Sequence, residues 1–168
     1  MFLNRSVDIV KKAKRIVKLA GSRDPEIIAD YLGIIIMPCA FSMQKGAYKV
    51  IKRKRFIFIK EDLCPELKRI VLLHEIGHDV LHRQEARTFQ EFSIFDIKGD
   101  RMEYEANSFA AEVALPDEEV LEKLRLGLDV ETIAKQMASH TQLVAIKLEG
   151  LERRKSSPPP QNNRGPLG

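Results

Sequence analysis

Only two cysteines occur in the 168 residues, Cys39 and Cys64, far apart, without a CxxC spacing and each beside a proline. That excludes a disulfide framework, a thiol redox pair and a cysteine zinc site, and it suits a reducing compartment. No stretch approaches the roughly 20 apolar residues of a membrane span. The N-terminus, MFLNRSVDIVKKAKRIV, interleaves charge where a secretory signal needs an unbroken apolar centre. The expectation is a cytoplasmic protein without a membrane partner. Acid is missing from one place in particular: residues 45–60 hold seven Lys/Arg and no Asp or Glu, and contribute much of the net charge of +4. Such a run permits nucleic-acid contact. It equally suits a sheet edge, where basic residues flanking the apolar run Phe56–Ile59 would discourage unwanted pairing.

What is present reads as an ordinary globular chain, 44% hydrophobic and 31% charged, with enough apolar surface for one core over residues 1–154. Apolar positions at Val7, Val10, Ile16, Val17 and Leu19 predict an amphipathic helix over Ser6–Leu19, stopped by Gly21. Ser22 or Asp24 can cap a second helix that starts at Pro25 and ends at Gly33. Short β-branched or aromatic runs at Ile34–Ile36, Ala47–Ile51 and Arg55–Ile59 predict a small antiparallel sheet. Helices are expected over Pro65–Leu81, Arg101–Ala114, Asp117–Leu126, Val130–Ala138 and Thr141–Leu151, with residues 84–99 as a loop. Residues 155–168, rich in proline and asparagine, read as a flexible tail. The fold class is α+β, mostly helical, with the small sheet beside the Pro65 helix. Gly77, in the middle of that helix, costs about 1 kcal/mol relative to alanine and so needs a reason.

The Pro65 helix carries HEIGH. Histidines four residues apart project from one helix face and can close on a single ion at about 2.0–2.1 Å. Glu75, rotated about 100° from His74, lies at the side of that ion and can take a proton from water bound there. The motif sits inside an apolar-periodic helix, as a buried catalytic site requires. Zinc is the expected ion, although two imidazoles and a carboxylate also suit manganese or iron.

A catalytic zinc site needs a third protein ligand, and His82, Glu103 and Glu105 are candidates. His82 continues the i+4 series, but one more turn along a straight helix is beyond reach of the same ion. It reads as a packed residue near the site. Glu103 shares a helix face with Ala106, Asn107 and Ala110, small residues that permit close approach, whereas Glu105 points about 200° away, toward the side of Ser108, Phe109 and Glu112. Glu103 is therefore the expected ligand, with Asn107, one turn on, placed to orient a ligand histidine.

The pairing of HEIGHDVLH with EYEANSFAAEVALP, within residues 56–116, resembles the ImmA/IrrE family of metallopeptidases, whose pattern is a HELGHxxLH helix followed by ExEAN-x-FA and an apolar ending with proline. Ile76 replaces the usual leucine of HELGH, and EVALP departs mildly from the usual ending. The resemblance implies a zincin-like fold of the gluzincin type, zinc held by His74, His78 and Glu103, and Glu75 as the catalytic residue. It further implies an endopeptidase that cuts a helix-turn-helix repressor of a phage, mobile element or stress regulon.

Two other functions compete. Helix, break and helix over Val130–Leu151 in a basic chain could be a DNA-binding regulator, but Lys147 is the one basic residue between Gln142 and Leu148, so direct nucleic-acid binding is not expected. A toxin-antitoxin or other regulatory module could keep the metal as a structural element; intact Glu75 argues against a dead site. Peptide substrates commonly pair with an edge strand, and Arg55–Ile59, ahead of the site helix, is the expected one, with residues 84–99 bordering the cleft and proline at Ile57 lowering cleavage. Tyr48, Tyr104 and His82 are the candidate oxyanion stabilisers.

Overall fold

A computed structural model describes residues 2–84 and 101–156, with side chains from residue 8 onward. The elements are α1 (Phe2–Ala20), α2 (Pro25–Leu32), β1 (Ile34–Cys39), β2 (Gly46–Ile51), β3 (Lys54–Lys60), α3 (Pro65–His82), α4 (Arg101–Ala114), α5 (Asp117–Arg125), α6 (Val130–Gln136) and α7 (Thr141–Ser156). Local chemistry sets the boundaries of α2 and the start of α6. The Asp24 carboxylate accepts from the Glu26 and Ile27 amides at 2.8 and 3.4 Å, Pro25 takes the first turn of α2, and Gly33 closes it at φ 69°. Ser22 accepts instead from the Asp24 amide. The last carbonyls of α4 are satisfied from a distance: Arg23 donates to Glu112 and Val113, and Arg69 to Ala114. The expected loop at residues 84–99 lies, apart from Gln84, outside the described residues, as does the expected tail from residue 157. No helix among the described residues is long and apolar enough to cross a membrane.

The mostly helical α+β class holds, but the sheet is mixed rather than antiparallel. Its order is β1-β3-β2, with β2 antiparallel and β1 parallel to β3. The six residues after β1 carry the chain past one strand position before β2 begins, and β3 then fills the gap. Consequently the apolar run Phe56–Ile59 is the middle of the sheet, not an edge, and Ile57 and Ile59 are buried. At the β2–β3 turn, Lys52 (φ 48°) and Arg53 (φ 66°) are both left-handed, the backbone that a two-residue hairpin turn matched to strand twist requires. Asn-Gly would signal this turn in a sequence; Lys-Arg does not.

Helix α3 lies between the sheet and α4, burying Ile70, Val71, Leu72, Leu73 and Ile76. It runs antiparallel to α4, as the successive pairs Arg69–Ala114, His74–Asn107 and His82–Glu105 show. Gly77 sits at the crossing. A Cβ there would lie 3.0 Å from the Ala106 carbonyl oxygen and 3.1 Å from its Cα, so backbone meets backbone where the site is built. Gly77→Ala should therefore lose about 1 kcal/mol of stability, because overpacking of about 1–3 kcal/mol outweighs the gain of about 1 kcal/mol in helix propensity. A lowered urea midpoint at unchanged slope is the expected readout.

Helix α7 continues five residues past its expected end at Leu151. Arg154 pairs with Glu112 and Asp117 at 2.8 and 3.2 Å and so draws that last turn onto α4 and α5. Lys147 is only 1% exposed and pairs with the same two carboxylates, while Lys14 of α1 also reaches Asp117. Burial alone would raise the Asp117 pKa, but bonds from Lys14 and Lys147 and the nearby charges hold it down at about 2. A carboxyl depressed from about 3.8 contributes stability above pH 4, which is lost as pH falls from about 4 to about 2. Asp117→Asn should cost about 2 kcal/mol at pH 7, leaving Lys147 half-paired, and should flatten the acid limb in that window.

Candidate metal centre

His74 and His78 lie one turn apart on the face of α3 that meets α4, and both are buried. Their Nε2 atoms are 3.1 Å apart. Glu103, in the first turn of α4 and also buried, brings one carboxylate oxygen to 3.1 Å from His74 Nε2 and the other to 3.2 Å from His78 Nε2. These three side chains form a buried group able to hold a metal ion. The Asn107 amide oxygen, 2.8 Å from His74 Nδ1, accepts from that nitrogen, which leaves the Nε2 lone pair of a neutral ring aimed at the shared point. Imidazole and carboxylate lone pairs so gathered repel one another unless a cation or proton lies among them. Bonds of about 2.0–2.1 Å in tetrahedral directions would put ligand atoms about 3.3 Å apart, close to the observed spacing. The donor set and its geometry therefore fit a small divalent cation.

The charges of the site are strongly coupled. Burial works to lower the His74 pKa, but the Glu103 bond and the charges of Glu75 and Glu103 raise it overall. Burial works to raise that of Glu103, yet bonds to both histidines hold it at about 2. Glu75 is raised, chiefly by burial, against the opposing charges of the histidines and a hydrogen bond from the Tyr48 backbone amide.

That amide belongs to β2, which passes directly over α3. Val71, Glu75 and Asp79 form one i, i+4, i+8 row, and Gly46 and Tyr48 of β2 lie on it. A Cβ at Gly46 would come within 2.6 Å of Val71 Cγ1 and 3.0 Å of Glu75 Oε1, so this glycine is needed for close approach. Tyr48 donates its hydroxyl to Asp79 at 2.6 Å, and burial followed by Asp79 pushes the phenol pKa well up. Asp79 is held in turn by Arg55 of β3 and by Arg83, each at 2.9 Å, and Arg55 also bonds the Leu32 carbonyl. This set clamps β2 at a fixed height above Glu75. Gly46 and Asp79 were not singled out from the sequence; the signal for Asp79 was its place on the buried face of α3, four residues after Glu75.

Other sequence candidates fall elsewhere. Tyr104 points toward α7, its hydroxyl 3.2 Å from Glu149, and Tyr48 is committed to Asp79, so neither phenol serves as an oxyanion donor in this arrangement. His82 is buried with its ring 5.8 Å from that of His78 and its Nε2 3.5 Å from Glu105. Glu105 thus reaches α3, contrary to its expected direction, because the antiparallel crossing sets it opposite the last turn of α3. The substrate strand expected at Arg55–Ile59 is central and paired on both sides; β2 is the edge strand that borders Glu75.

Comparison with known proteins agrees with this geometry. The family model of the IrrE N-terminal-like domain matches residues 29–149, most of the chain and all of the site. The chain belongs to the ImmA/IrrE metallopeptidases. It is 30% identical over 142 residues to uncharacterized immunity region protein 2 of Bacillus phage phi105, covering 83% of this chain and 89% of that protein. It is 29% identical over 133 residues to metallopeptidase ImmA of Bacillus subtilis (strain 168), covering 77% of each. The protein is thus a metallopeptidase hydrolase with a buried His-His-Glu group on two antiparallel helices. The family match reaches well beyond the two motifs at residues 56–116, taking in the second half of α2, the sheet and the first half of α7.

Proposed function

We propose that this chain is a cytoplasmic zinc-dependent endopeptidase that uses His74, His78 and Glu103 as ligands and Glu75 as general base, and that its substrate is a helix-turn-helix repressor. The observation that carries this reading is the convergence of three buried ligand atoms with a fourth buried carboxylate beside them, under an edge strand. When bound, the ion would supply Lewis acidity toward water and the substrate carbonyl. Glu75 is placed to accept the proton of the attacking water and to return it to the leaving amine. Asn107 fixes the tautomer of His74, and the Tyr48–Asp79–Arg55 set holds β2 where its main chain can pair with an extended peptide. The name of the phage relative, an immunity region protein, favours a substrate that controls such a region.

The DNA-binding alternative loses support from Lys147, whose ammonium is buried between Glu112 and Asp117 and offers nothing to a phosphate. A direct test incubates the purified zinc-loaded chain with the repressor encoded beside its gene. Cleavage at a discrete bond, abolished by a chelator and restored by zinc, is expected. An intact repressor under all conditions would reject the substrate assignment.

A further inference from the structure

Strand β2 leaves the site at Gly46, against Glu75, and runs through Lys49 to the turn at Lys52-Arg53 and on to Lys54. All four basic residues are exposed, and none has an ion-pair partner among the described residues. Others of the same basic run are engaged: Arg55 holds Asp79 and Lys60 holds Asp62. The turn places lysine and arginine at two successive left-handed positions, where glycine or asparagine would sit without strain. A turn of this kind presents two cations in fixed directions from the end of the edge strand. At about 3.3 Å per residue, Lys49 lies about 10 Å and the turn about 20 Å from Gly46.

We infer that the β2–β3 hairpin is a specificity element for acidic peptide, and that the enzyme selects bonds with Asp or Glu about three to seven residues to one side of the cut. This rests on the proposed peptidase reading and names the substrate class for it. A peptide strand laid along β2 has the same rise per residue. With its scissile bond at Glu75, its carboxylates at those positions meet Lys49, Lys52, Arg53 and Lys54. Lysines serving only to block edge pairing would give no such positional preference. Continuity of the patch with the strand over Glu75 favours a peptide over a nucleic acid.

The test uses peptides from a trypsin-digested proteome, with cleavage sites read by mass spectrometry after treatment with the zinc-loaded enzyme. Asp and Glu should be enriched at least about fivefold within the three-to-seven window on one side, as two exposed ion pairs would give. Lys52→Glu with Arg53→Glu should abolish or invert that enrichment. Lys52→Asn with Arg53→Gly, which relaxes the turn while removing its charge, should abolish it with zinc content and melting temperature maintained or raised. Cleavage without the enrichment, or enrichment unchanged in both variants, overturns the inference and leaves the peptidase reading standing. Duplex-DNA binding lost in the variants with an unchanged cleavage pattern also overturns it, in favour of a nucleic acid. No cleavage of any peptide by the wild type overturns the inference and leaves the peptidase reading to the repressor assay.

Discussion

Glu75→Gln should bind zinc as the wild type does and cleave about a thousandfold more slowly. The amide has nearly the shape of the carboxylate and can still meet the Tyr48 amide hydrogen through its oxygen, so the strand above α3 has no reason to move. What it cannot do is accept a proton from water and give it to the leaving nitrogen, and losing general acid–base catalysis costs about 10²–10⁴-fold. Glu75 is not among the three side chains that gather as ligands, so metal content should not fall with activity. Steady-state cleavage together with zinc stoichiometry on the same preparation checks both halves. Processing at the wild-type rate would remove Glu75 from the chemistry.

Glu103→Ala should have the opposite signature, loss of the metal and therefore of everything that depends on it. Replacing a group that orients a metal ligand costs about 10–100-fold in affinity, so removing a ligand should weaken zinc binding by at least about 100-fold. The effect reaches stability. With zinc at 100 times its dissociation constant, binding adds about 2.7 kcal/mol to the wild type, or about 5–10 °C in a domain of this size. In the variant that zinc-dependent rise should vanish, and its melting temperature without zinc should lie below that of the wild type, because the carboxylate that His74 and His78 hold at low pKa is gone. Thermal melts with and without zinc separate this from simple misfolding.

Much of the molecule could be read from local pattern. Asp24, Pro25 and Gly33 mark α2 because caps act over one turn, and His74 with His78 marks a single face because the helix period is fixed. Glu103 was distinguishable from Glu105 because small residues on its face allow α4 to approach, and Gly77 announced the other half of that contact. What was not legible depends on partners distant in the chain. The parallel pairing of β1 with β3 puts Arg55–Ile59 in the middle of the sheet, although its sequence looks like an edge. Gly46 shows its purpose only once β2 is seen over Val71 and Glu75. Lys147 and Asp79 look like ordinary surface charges until the carboxylates and arginines of other elements arrive around them. Strand order and buried ion pairing are decided by competition among non-local contacts, which no window of neighbouring residues records.

The central claim is best tested by crystallising the chain with zinc and collecting diffraction data on both sides of the zinc absorption edge. One anomalous peak per chain is expected, within bonding distance of His74 Nε2, His78 Nε2 and a Glu103 oxygen, with the Glu75 carboxylate facing it. A peak at other residues, or zinc bound without Glu103, would contradict the account.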